Sequence, residues 1–524
     1  MTAPALLMQR PPIRLAMRLV AGLMAGLMAS LLACLLPIAP TNAQGVLPGA
    51  LPPATAAAAV VDPFPPAIPA DPPWINGLPP RIFNTLRGQR VPRSAVSFVV
   101  RDAASGEVLL EHNPEVPRSP ASTMKVVSAY AALSLLGPNY TWTTRAWAAG
   151  PVVGGRLKGD LVLQGGGDPT LSIERWWRFV QELRSRGVEQ IDGDIIVDTN
   201  FFAPADAEPN DFDGAGFKTY NVIPNALLVH EHAANITVAP GGSSAVITVD
   251  PAPDNLRIVN KVRLSRSSCR SGGSMVRFGG PGDGATQLTV AGHLSRRCGT
   301  VRFERVIMKP AEFAYGTFVT LWRQAGGTFN GVLRQEPKPP GSRLLVEYDS
   351  LPLATALYEL LKHSSNPMTR TLILTLGAER YGAPATVQNG EQVVYDFLVD
   401  RGLIFPELVI DNGSGLSRIT RIAAGSMAQL LQDAWRSPYS AEFQAGLPLG
   451  GQDGTLRNRF KETEDGRVRM KTGTLNGVSA LAGYVRSTSG RTLVVVSIVN
   501  TPGAQAGPGV TINDSVVRWA MQQP

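Results

Sequence analysis

The chain has 524 residues, of which 44% are hydrophobic and 17% charged, and a formal net charge of +8. That length allows roughly two to four domains of about 150 residues, and the apolar share is enough for packed cores, which excludes a wholly disordered chain. Its glycines and prolines follow no Gly-X-Y period, which excludes collagen, and only one apolar run is long enough to cross a bilayer, which excludes a polytopic membrane protein.

That run comes first. Arg10, Arg14 and Arg18 precede the apolar stretch Leu19 to Ala39, and Thr41-Asn42-Ala43 then offers small residues for cleavage. This is the form of an export signal over residues 1–43, cleaved near Ala43, and it predicts a periplasmic protein. The alternatives are retention as an anchor and lipid attachment at Cys34. Losing these arginines leaves a modest positive balance. No compact basic run interleaved with aromatics marks a nucleic-acid surface, whereas peripheral association with an anionic membrane or wall is compatible with the charge. Residues 44–80 are rich in proline and alanine, a composition that favours extended, unpacked chain and predicts a tether.

Beyond the tether, the short apolar runs Ala95–Arg101 and Glu107–Glu111 flank Asp102-Ala-Ala-Ser-Gly106 and predict a β-hairpin. Val126 to Leu136 is apolar and Ala-rich and stops at Gly137-Pro138, as a buried helix does. Further on, Leu157–Gln164 and Ile191–Asp198 read as strands and Ile173–Arg186 as an amphipathic helix. Residues from about 225 to 304 are short β-like runs broken by Gly, Ser and Pro. Cys269 and Cys298 lie in or near this region, outside any C-x-x-C unit, so zinc is not expected. In an exported chain they predict one disulfide closing a loop of about 30 residues, with two free thiols as the alternative. Leu353–Lys362 carries an apolar face of Leu353, Leu357, Leu360 and Leu361. A second hairpin (Val478–Arg486, Arg491–Asn500) and a closing helix, Thr511–Gln522, follow. Hairpins and helices at both chain ends predict an α+β fold, one antiparallel sheet flanked by helices, in which the two ends meet.

Ser122 and Lys125 stand three apart at the start of the first buried helix and project from one face. A lysine amine held by a hydroxyl in a poorly solvated cleft has its pKa lowered and can take the serine proton, giving a nucleophile without histidine. Alone the pair is a weak signal, because a helix cap beside an exposed lysine looks the same. Ser364-Ser365-Asn366 follows the Leu353–Lys362 helix. Its hydroxyl and carboxamide, two apart on a loop, can face one cleft. In Lys471-Thr472-Gly473-Thr474 an edge strand would offer a lysine and two hydroxyls to a carboxylate, with Gly473 admitting substrate backbone. Other candidates fall away. Gly413-Ser414-Gly415 is not a nucleophile elbow, Gly165-Gly166-Gly167 lacks the residues of a phosphate loop, and His230-Glu231-His232 reads as a surface loop, without the histidine spacing of a zinc peptidase. No metal or other cofactor is implied.

S-x-x-K, a serine–asparagine pair and K-T-G occur in the order found in penicillin-binding proteins and class A β-lactamases. Longer stretches narrow the likeness: Ala121–Lys125, Gly159–Leu171, His363–Asn366, Asp411–Arg418, Asp453–Leu456 and Lys471–Tyr484. Together they resemble the D-alanyl-D-alanine carboxypeptidase/endopeptidase family of class C penicillin-binding proteins, peptidase family S13. Ser365 departs from the aspartate frequent there. The resemblance implies a serine β-lactamase/penicillin-binding-protein-like domain, 81–145 with 342–524, split by an insertion over 146–341. Ser122 and Ser364 stand about 240 residues apart, more than one compact domain needs between facing motifs.

By the same resemblance Ser122 is the nucleophile and Lys125 its base. Ser364 and Lys471 relay the proton, Asn366 holds the substrate amide, and the backbone N–H groups of Ser122 and Thr474 form an oxyanion hole. Thr472, Gly473 and Thr474 take the terminal carboxylate, and Arg418 takes a diaminopimelate side chain. Asn476 and Tyr220 are further candidates for the substrate site, with packing the alternative for Tyr220. The implied function is cleavage of D-Ala-D-Ala or D-alanyl-diaminopimelate bonds in peptidoglycan stem peptides through an acyl-enzyme, with β-lactams as covalent inhibitors. The alternatives are a serine β-lactamase and a catalytically idle wall-binding scaffold.

Overall fold

The computed structural model describes residues 73–269, 275–279, 286–463 and 465–524. The export signal and most of the tether lie outside them. The tether is shorter than composition suggests. Ile75 and Leu78 form a bridge, Trp74 packs edge-on against Trp519 at 6.2 Å, and Leu78 is fully buried. Apolar side chains among the prolines give residues 74–79 a packing partner that proline content alone does not reveal.

The main sheet has five strands in the order Val468–Leu475, Val478–Arg486, Thr492–Asn500, Val96–Asp102, Val108–His112, all antiparallel. The first and last parts of the chain therefore meet in its middle, with Val99 opposite Val496. Successive side chains of a strand point to opposite faces, and here both faces are covered. Val494, Val496 and Ile498 join the core beneath the helices Lys125–Leu136, Leu353–His363, Asn366–Tyr381 and Ala424–Arg436, whereas Leu493, Val495 and Val499 pack with Pro80–Gly88 and Pro508–Met521. Burial on both sides explains why Thr492–Asn500 reads as a continuous apolar run rather than an alternating one. The closing helix starts at Pro508, earlier than its apolar periodicity indicates, because proline at the first helical position gives up an N–H that would be unpaired anyway.

Residues between the two halves of this unit build their own core. It is organised on a second five-stranded sheet, in the order Leu333–Gln335, Ile195–Asp198, Asp160–Gln164, Thr143–Ala149, Arg343–Asp349, with helices Ile173–Ser185 and Pro310–Gln324 against it. The chain enters and leaves along neighbouring antiparallel strands, Thr143–Ala149 and Arg343–Asp349. Their buried Ala146, Ala148 and Val346 belong to this core, while Trp142 and Leu353 belong to the other. The change of core thus falls a few residues outside the 146–341 that the resemblance implies. Two three-stranded sheets lie within residues 233–306, and Cys269 is bonded there to Cys298, with Cα atoms 5.0 Å apart. His230-Glu231-His232 is no surface loop: His232 is buried, and its Nδ1 lies 2.6 Å from the Met308 carbonyl oxygen.

Candidate active site

Ser122 sits in a short 3-10 turn, Ala121–Met124, that leads directly into the Lys125–Leu136 helix. Ala121 has φ 46, a left-handed conformation costly for a residue with a Cβ. The edge strand carrying Lys471 lies against this turn. A Cβ on Gly473 would stand 2.4 Å from the Pro120 carbonyl oxygen, so the missing side chain is what lets strand and turn touch. Ser364 ends the Leu353–His363 helix with φ 61, and Ser365 caps the next, Asn366–Tyr381, by accepting the Met368 N–H at 3.2 Å. Two residues thus join two helices and present Ser364 and Asn366 together.

Five residues scattered in sequence form two linked bonding groups. Lys125 Nζ stands 3.1 Å from Ser122 Oγ, 2.6 Å from Asn366 Oδ1 and 2.6 Å from the Ser414 carbonyl oxygen. Lys471 Nζ donates to Ser364 Oγ and to the Thr472 carbonyl, both at 2.9 Å. Both lysines are fully buried, and among the described residues no carboxylate is hydrogen-bonded to them. Burial drives the Lys125 amine well below its ordinary value, and the positive charges of Lys471 and Arg370 push the same way. Burial brings Lys471 to about 7. A neutral Lys125 has two N–H donors and one lone pair. Two oxygens that can only accept, on Asn366 and Ser414, claim the donors, and the lone pair is left for the Ser122 hydroxyl. That is the arrangement of a base poised over a nucleophile.

The D-Ala-D-Ala carboxypeptidase 3 (S13) family profile matches residues 81–523. The chain belongs to that family. Among relatives, the D-alanyl-D-alanine carboxypeptidase of Actinomadura sp. (strain R39) is 30% identical over 440 residues, covering 80% of this chain and 79% of its own. The D-alanyl-D-alanine carboxypeptidase DacB of Haemophilus influenzae is 25% identical over 424 residues, covering 79% and 87%. The crystal structure of penicillin binding protein 4 (dacB) from Haemophilus influenzae shares the fold, with a TM-score of 0.71 at 23% identity, covering 84% of this chain and 99% of that one. As an S13 family member the protein is a penicillin-binding serine D,D-peptidase, a hydrolase acting on peptidoglycan.

The remaining candidates are Thr472, Gly473, Thr474, Arg418, Tyr220 and Asn476. Thr472 Oγ1 donates to Thr455 Oγ1 at 2.8 Å, and Thr474 is exposed on the same strand. Thr455 belongs to Asp453-Gly-Thr-Leu456, and Asp453 is fixed by the buried Lys362 amine at 2.7 Å. Arg418 is exposed, with its guanidinium 4.4 Å from the centre of the Phe212 ring. The Tyr220 hydroxyl donates to Asp213 at 2.8 Å rather than to any of the five residues, although the Tyr220 carbonyl accepts from Asn366 Nδ2 at 3.0 Å. Asn476 is exposed in the turn beyond the strand, where its amide oxygen accepts from Gln505 at 3.0 Å. Sequence reasoning missed Phe212, Asp213, Thr455 and the Ser414 carbonyl. Of these Thr455 and Ser414 lie inside stretches that resemble the family, whereas Phe212 and Asp213 do not. A backbone oxygen has no signature in sequence.

Proposed function

We propose that Ser122 attacks the carbonyl carbon of the penultimate D-alanine while Lys125 takes its proton, forming an acyl-enzyme at Ser122. The observation that carries this reading is the buried Lys125 amine, 3.1 Å from Ser122 Oγ and 2.6 Å from both Asn366 Oδ1 and the Ser414 carbonyl oxygen. As the tetrahedral intermediate collapses, the C–N bond breaks and the leaving amine receives a proton through Ser364 and Lys471. Water then adds to the acyl carbon and gives a proton to Lys125, which passes it to Ser122 Oγ as the ester C–O bond breaks and the shortened peptide leaves as its acid. The N–H groups of Ser122 and Thr474 would hold the oxyanion, typically worth about 3–4 kcal/mol per donor. Thr472, Gly473 and Thr474 would receive the terminal carboxylate.

Arg418, Asp213 and Tyr220 offer charge and hydroxyl groups to a side chain of the stem peptide, and Asn476 lies at the outer rim. In this reading the catalytic domain consists of the segments before Thr143 and after Asp349, and everything between is an insertion. An export signal over 1–43 and a disulfide between Cys269 and Cys298 fit a periplasmic enzyme working next to the wall.

Both D-alanyl-D-alanine and D-alanyl-diaminopimelate bonds present the same D-alanyl carbonyl to Ser122. Incubation with defined pentapeptide and cross-linked muropeptides, followed by mass analysis, tests the function. Loss of one alanine, or conversion of dimers to monomers, is the expected result. Unchanged masses for both substrates contradict it.

A further inference from the structure

We propose that Glu231, in the inserted region, is a positioning residue for the reaction: it holds the loop that presents Ser364 and Asn366 by accepting a hydrogen bond from Ser365. The inference rests on the function proposed above.

The middle residue of Ser364-Ser365-Asn366 has no place in the proton relay, yet its hydroxyl is doubly engaged. It accepts the Met368 N–H at 3.2 Å and donates to Glu231 Oε1 at 3.1 Å. Glu231 reaches it from an unusual backbone. His230, Glu231 and His232 have φ of 50, 51 and 40, three consecutive left-handed residues, none of them glycine. Such a run persists only where its surroundings over-determine it. Here they do. The His230 N–H donates to the Leu171 carbonyl at 2.8 Å, and the ring of buried His232 is held against Met308. The run is thereby clamped to the core of the inserted region and turns Glu231 toward the catalytic loop.

A second hold lies one residue further along. Asn366 Nδ2 donates to the Tyr220 carbonyl, also from the inserted region, while Asn366 Oδ1 accepts from Lys125. The inserted region therefore grips positions 365 and 366, and position 364 is left to meet Lys471. Burial raises the Glu231 carboxyl to about 7, with the Glu304 charge adding to the rise and the Ser365 bond opposing it. An oxygen able to accept from Ser365 is present in either protonation state. Because the linking loop is only two residues long, releasing Ser365 shifts Ser364 and Asn366 together. Proton transfer should suffer more than substrate binding, since the carboxylate pocket lies on the strand of Lys471.

The test compares the full-length protein with Glu231→Ala, Glu231→Gln, Ser365→Ala and the Glu231→Ala/Ser365→Ala double variant. Acylation by fluorescent penicillin and hydrolysis of a D-Ala-D-Ala peptide are measured alongside thermal melting. Glu231→Ala is expected to lower kcat and the acylation rate about tenfold with KM within about twofold, the pattern of an interaction that matters in the transition state. Glu231→Gln, which keeps a side-chain carbonyl, should restore most of the loss. Ser365→Ala should cost less in the Glu231→Ala background than in wild type, because the bond the two residues share is already gone while the N-cap bond from Met368 is lost in both. Acylation of Glu231→Ala at the wild-type rate overturns the inference, as do equal losses in the alanine and glutamine variants or additive losses in the double variant. Should Glu231→Ala fail to fold, Ser365→Ala and Glu231→Gln decide it: a wild-type rate for Ser365→Ala, or failure of Glu231→Gln, contradicts the assignment. An unlabelled wild-type protein would instead overturn the proposed function.

Discussion

Lys125 and Lys471, with no hydrogen-bonded carboxylate among the described residues, are costly to bury in charged form, and burial lowers the pKa of both amines. The same burial leaves a mark on stability. The folded-state value of Lys471 is about 7, against an ordinary value of 10.5. Between those limits the unfolded chain binds a proton that the folded chain does not, so stability rises with pH across this window. Below it the full penalty of a buried charge is present, and above it none is. Urea denaturation from pH 7 to 10 should therefore show a steeper gain in stability for wild type than for Lys471→Met; equal slopes would mean that Lys471 is not depressed. At this scale the sequence is informative where chemistry rides on side chains. Ser122 and Lys125 are a weak signal by spacing alone and a stronger one together with the other two motifs, and the spacing survives as a 3.1 Å contact. Of the two oxygens that orient Lys125, Asn366 Oδ1 comes from a residue the sequence singles out, whereas the Ser414 oxygen does not, because it belongs to the backbone.

Periodicity made the secondary elements legible wherever one face of an element is buried and the other is not. The Leu353–His363 helix and the Ile173–Ser185 helix were readable for that reason. Pro80–Gly88 was obscured by its proline-rich approach, even though buried Ile82 and Leu86 keep helical spacing. Contacts between elements were less legible. Close approach of the Lys471 strand to the Ser122 turn depends on Gly473, where an added Cβ would sit 2.4 Å from a carbonyl oxygen that cannot move without displacing the nucleophile. Gly473→Ala is accordingly expected to slow acylation by about tenfold or more, because misplacing the reacting groups by even 1 Å has effects of that size or larger. Thermal melting should fall by only a few degrees, the shift that overpacking by one methyl at a sheet edge produces. Wild-type acylation in Gly473→Ala would show that strand and turn need not touch.

At the scale of the whole molecule, a long separation in sequence is closed by topology. The chain leaves the first core at Thr143 and returns to it at Asp349 along neighbouring strands, so an excursion of some two hundred residues begins and ends at almost the same place. Ser364 and Asn366 can then face Ser122 although a second core intervenes in sequence. An insertion was expected from the family resemblance and the long gap between Ser122 and Ser364. Its grip on the catalytic loop, through Tyr220 and Glu231, was not, because neither residue belongs to a motif and the contacts depend on how the two cores meet. The central claim is that five distant residues converge on one reactive hydroxyl. It is tested most directly by treating the protein with benzylpenicillin and mapping the adduct by peptide mass spectrometry. The account predicts a single penicilloyl ester on Ser122, absent from Ser122→Ala and lost when Lys125 is replaced by methionine. An adduct on another residue, or undiminished labelling of Ser122→Ala, would contradict it.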